Sequence, residues 1–157
     1  MTMTITQSNN APTKAFRIAS VSALVIGTAS YLIGLFNAYM ELNEKGYYLT
    51  VMLLGLFAVV SLQKTIRDKM DGIDVTRAYF LACGVATVAA IALLIVGLYN
   101  AELALSEKGF FGMAFVLSMF AAITVQKNVR DCAGAKPETT TIQSTTSQLT
   151  TFVPETE

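Results

Sequence analysis

Asn37 and Glu44 recur, at a constant offset, as Asn100 and Glu107. A carboxamide and a carboxylate seven residues apart share one face of a continuous helix, two turns apart. Two Asn and two Glu, gathered from both copies, would make an outer polar site for a cation or an amine. The same residues also have a plainer reading, in which Asn bonds across helices as polar glue while Glu solvates a corner. One detail favours that second reading. Glu41 follows Asn37 by one turn, but its counterpart is Ala104, so a symmetric carboxylate cluster is incomplete.

A second polar set is basic: Lys64 and Arg67, then Lys127 and Arg130, each followed by an Asp at 68 or 131. Lys and Arg three apart share a helix face, and Lys64 with Asp68 is spaced as an i, i+4 ion pair. Such a cluster at a membrane exit suits an inner contact with anionic lipid or phosphate. Its simpler role is an orientation anchor. Beyond these sets the chain offers little chemistry. It has no His, which removes the commonest general base and metal ligand. Cys83 and Cys132 lie far apart, with no C-x-x-C spacing. No catalytic, cofactor-binding or metal-ligating constellation is read, so the chain is expected to be no enzyme and to need no cofactor.

The elements that carry these residues are apolar. Of 157 residues, 54% are hydrophobic and 14% charged, where soluble domains carry about 25% charge. Acidic and basic residues balance, at eleven each, which argues against nucleic acid as a partner. The segment Gly34–Asp68 returns without a gap as Gly97–Asp131, sharing N-A-x-x-x-L-x-E-K-G and Q-K-x-x-R-D. The fold predicted is an all-α membrane protein whose four transmembrane helices form two tandem, parallel helical-hairpin repeats. The first helix is expected from Ile18 to Lys45, with Gly46 (and later Gly109) as its left-handed C-cap. The second runs from about Tyr47 to Leu62, the third from Ala78 to Ala101 and the fourth from Phe110 to Val125. Close packing is expected of three small-residue stripes: Ser30, Gly34, Ala38; Ala82, Ala86, Ala90; and Ala114, Ser118, Ala122. The middles of the spans lack ionisable residues, which weighs against a proton-driven pump.

The domain reading is a polar, disordered tail at 1–14, a hairpin at 15–69, a connector at 70–77, a second hairpin at 78–132 and a Thr/Ser-rich disordered tail at 133–157. Lys45 and Lys108 are the basic residues of the two corners; the others gather at the opposite ends. The positive-inside rule then places both termini and the connector in the cytoplasm.

The repeated corner and exit resemble the YiaA/YiaB inner-membrane proteins of bacteria and their two-helix domain. The matching residues are Asn37, Ala38, Leu42, Glu44, Lys45, Gly46, Gln63, Lys64, Arg67 and Asp68. Their counterparts match again: Asn100, Ala101, Leu105, Glu107, Lys108, Gly109, Gln126, Lys127, Arg130 and Asp131. With two copies, the chain is most similar to the four-span branch of that family. The resemblance implies a multi-pass location in a bacterial inner (plasma) membrane and carries no established activity. The function expected is a non-enzymatic structural or accessory partner of other membrane components, in contact with the lipid bilayer. The alternative is a small homo-oligomeric transporter or channel for a small solute or cation.

Overall fold

A computed structural model describes residues 12–134. It contains four helices in chain order: α1 (Lys14–Asn37), α2 (Leu42–Met70), α3 (Arg77–Asn100) and α4 (Leu105–Gly134). All four are long and apolar enough to cross a membrane. Even the 24-residue α1 and α3 reach roughly 36 Å at 1.5 Å per residue, beyond the ~30 Å hydrocarbon core. The tails expected to be unstructured fall almost wholly outside the described residues.

Several expected boundaries move; α2 runs on to Met70 rather than Leu62, and α4 spans Leu105–Gly134 rather than Phe110–Val125. Helix α1 stops at Asn37, well before Lys45, and α2 begins at Leu42. Residues 38–41 form the corner; Ala38 and Glu41 are both extended, at ψ 143° and 158°. Gly46 and Gly109 therefore lie inside the return helices rather than ending the outgoing ones. The left-handed glycine sits instead in the connector, at Gly72, with φ 76°. There Gly72 N–H donates to the Lys69 carbonyl and Ile73 N–H to the Asp68 carbonyl, at 3.4 and 2.9 Å. That is the paired closure of a Schellman turn, which needs φ > 0 at its glycine. Helix α2 is accordingly a full span and not the short one expected.

The two helices of one repeat barely touch each other. Helix α1 lies along α4, α2 lies along α3, and α2 meets α4 in the middle. Two close crossings show why. An added Cβ on Gly34 would come within 2.7 Å of the Phe110 ring, and one on Gly97 within 2.7 Å of the Tyr47 ring. These crossings are equivalent under the repeat, so the two copies embrace about a pseudo-twofold axis. A third glycine, Gly27, meets Ser118 in the same way, at 2.7 Å. Of the expected stripes, Ala114, Ser118 and Ala122 are buried as a set, whereas Ala82 faces outward.

The core between the repeats is aromatic. Tyr31, Leu35, Tyr48, Met52, Leu94, Phe111 and Phe115 are all buried. The Tyr31 ring stands edge-on to Phe111, with centroids 5.4 Å apart. A buried hydroxyl needs a partner where water is excluded. Tyr31 Oη donates to the Tyr48 carbonyl at 3.0 Å, and Tyr47 Oη to the Leu93 carbonyl at 2.6 Å. Near the connector end, Asn128 Nδ2 donates to Ser20 Oγ at 2.9 Å, tying α4 to α1. The repeat-equivalent pair, Thr65 and Cys83, lies 3.9 Å apart between α2 and α3. The outward faces carry Ile18, Val25, Ile33, Phe57, Val88, Ile95, Val116 and Phe120, all exposed, as spans facing acyl chains require.

Candidate functional site: two corner clefts

Each corner is built by its motif. The last carbonyls of a helix have no partner within it, and the residues of N-A-x-x-x-L-x-E-K-G take them up. Asn37 Nδ2 donates to the Ile33 carbonyl at 2.8 Å and Ala38 N–H to the Gly34 carbonyl at 2.9 Å. Lys45 reaches back from α2, its Nζ donating to the Phe36 carbonyl at 3.0 Å. Glu44 turns the other way and caps α2, its Oε2 accepting from Glu41 N–H at 3.0 Å.

The second corner repeats every step. Asn100 Nδ2 donates to the Val96 carbonyl at 2.8 Å and Lys108 Nζ to the Tyr99 carbonyl at 3.3 Å. Glu107 Oε2 accepts from Ala104 N–H at 2.9 Å. The carboxylate meets the backbone of residue 41 or 104. The change from Glu41 to Ala104 therefore keeps this half of the cap and gives up the reciprocal one, in which the Glu41 side chain accepts from the Glu44 backbone.

Asn37 and Glu44 thus do not share a helix face, because the corner separates them. The clefts pair the copies crosswise. One, of about 340 Å³, is lined by Glu44, Tyr47, Tyr48, Gly97, Asn100 and Ala101, among others. Its counterpart, of about 310 Å³, is lined by Gly34, Asn37, Ala38, Glu107, Phe110 and Phe111, with Ser106. Both clefts open outward, and all four polar residues are exposed. The four residues fall in two sites, and among the described residues each Asn bonds within its own helix, Asn37 to Ile33 and Asn100 to Val96. The repeat gave the signal for this crossing: Gly34 and Gly97 precede the corners, and the ring that fills each comes from the other copy.

At the opposite end, Lys64 and Lys127 are exposed while Arg67 and Arg130 are half-buried. The pair expected between Lys64 and Asp68 is replaced by one between Arg67 Nε and Asp71, at 3.3 Å. Both partners there are substantially exposed. Such a pair adds at most about 1 kcal/mol. Among the described residues, no three His, Cys, Asp or Glu side chains gather closely enough to hold a metal ion. Cys83 is buried and Cys132 half-buried, both as free thiols.

A helical membrane protein of four spans, built from two interlocked copies of one helix pair, is what this architecture defines. Both copies match the model of the yiaA/B two helix domain, over residues 16–68 and 79–131. The chain belongs to that family. It is 57% identical over 123 residues to the inner membrane protein YiaA of Escherichia coli K12, covering 78% of this chain and 84% of that protein. It is also 40% identical over 60 residues to a Bacillus subtilis protein named as the uncharacterized membrane protein YubF, covering 38% of this chain and 69% of that one. No solved structure matches the chain.

Proposed function

We propose that the chain is a non-enzymatic, multi-pass protein of the bacterial inner membrane, serving as a structural or accessory partner of other membrane components. The observation that carries this reading is the filled axis. Tyr31, Tyr48, Met52, Phe111 and Phe115 are buried together between the repeats, so the space between the described helices of a single copy is filled by aromatic and apolar side chains. The corner motif supports it too, since Asn, Glu and Lys each act on a helix end. The placement is drawn from the Escherichia coli relative, named as an inner membrane protein. The gathering of basic residues opposite the corners favours cytoplasmic termini.

The clefts favour a second reading, a homo-oligomeric transporter or channel for a small solute or cation. Each offers a carboxylate and an amide beside aromatic rings, and neighbouring copies could enclose them. Reconstitution in liposomes separates the two readings. The accessory reading expects ion and amine permeability equal to that of empty vesicles. A flux that vanishes in the Glu44→Gln, Glu107→Gln variant would overturn it.

A further inference from the structure

Helix α3 carries an apolar groove on its outer side, at positions where its repeat partner α1 has larger residues. Phe80, Leu81, Gly84, Val85, Val88 and Ala89 line about 440 Å³ of almost wholly apolar space on its outer side. Nothing lies within 4 Å of where a Gly84 Cβ would stand, so the groove is open at its floor. In α1 the positions of Gly84 and Ala89 hold Val21 and Ile26, both exposed. Branched side chains thus stand in α1 where α3 has small ones.

The groove also has a charge at one end. Lys69, at the end of α2, holds its Nζ 5.3 Å from the centroid of the Phe80 ring. The ion pair among the described residues joins Arg67 to Asp71, so the Lys69 ammonium has no carboxylate partner there. This feature too is confined to one copy, since Cys132 and Arg17 stand where Lys69 and Phe80 would repeat. From Phe80 to Ala89 the groove runs roughly 13–14 Å along the helix. Half of a ~30 Å hydrocarbon core is ~15 Å. The groove is therefore about as long as one leaflet is deep, and the Lys69 ammonium stands at its connector end.

We infer that this groove is a binding site for one anionic phospholipid, with an acyl chain along α3 and the phosphate at Lys69. An acyl chain fits an apolar trough of that length. An anionic headgroup fits a cation that is otherwise unpaired and held by a ring face. The site differs from the basic set Lys64, Arg67, Lys127 and Arg130, which the repeat duplicates.

The test uses the full chain in nanodiscs of equal parts phosphatidylglycerol and phosphatidylethanolamine, released into a mass spectrometer with bound lipid retained. The wild-type chain should keep one phosphatidylglycerol in preference. Lys69→Gln should cut that preference about fivefold, the loss of one juxtamembrane charge. Gly84→Val, whose Cβ would have nothing within 4 Å, should fill the groove and reduce retention of either lipid. Equal retention of the two lipids by the wild-type chain would overturn the site, as would a preference that neither variant moves. A dimer that Gly84→Val dissolves would make a second copy the occupant and overturn it as well.

Discussion

Glu44 and Glu107 act as helix caps, so what matters there is an acceptor oxygen more than a charge. Replacing both with Ala should lower stability by about 1 kcal/mol at each corner, read as earlier thermal unfolding in detergent. Replacing both with Gln keeps the acceptor and should leave unfolding close to wild type; equal losses in the two variants would contradict the capping role. Gly97 and Gly84 make a second contrast. Gly97→Ala drives a methyl against the Tyr47 ring, which is pinned by its bond to the Leu93 carbonyl. That should cost about 1–3 kcal/mol. Gly84→Ala meets open space and should be neutral or slightly stabilising, since Ala is the better helix former. These roles were only partly legible in the sequence. The spacing of Asn37, Glu44 and Lys45 showed a repeated motif, but Gly46 looked like the stronger stop signal. The helix ends earlier because Asn37 and Lys45 satisfy its last carbonyls, and no glycine is needed for that.

At the scale of elements, the number and type of helices were readable because long apolar runs in a chain with little charge leave few alternatives. Which helix lies beside which was not readable. Spans that are apolar all round show no preferred face, and sequence neighbours are the default guess. The pairing is decided by Gly34, Gly97 and Gly27, which admit a ring or a hydroxyl from the other repeat. Gly27 is not repeated, its counterpart being Ala90, so the internal alignment gives no sign of it. If the repeats embrace, cutting the chain at the connector, between Asp71 and Gly72, should leave two halves that copurify when expressed together. Halves that separate and stay folded would mean that each hairpin is its own unit. A Gly27→Cys, Ser118→Cys pair, in a background lacking Cys83 and Cys132, should link α1 to α4 within one chain. Failure of that link to form in folded protein would contradict the α1–α4 pairing.

For the molecule as a whole, the pseudo-twofold arrangement places both corners, with Lys45 and Lys108, at one end and the other described basic residues towards the opposite end. If the positive-inside rule holds here, a cysteine placed at Ser106 should react with an impermeant thiol reagent in intact cells. One placed at Asp74, exposed in the connector, should react only after the membrane is opened; the reverse pattern would invert the orientation. The filled axis and the capped corners together argue for a protein that works through what it touches. The most direct test is native mass spectrometry of the protein extracted gently from its own membrane. The account predicts this chain together with a second membrane protein in fixed stoichiometry. A closed homo-oligomer of this chain, with no second protein, would contradict the accessory role and favour a self-contained pore.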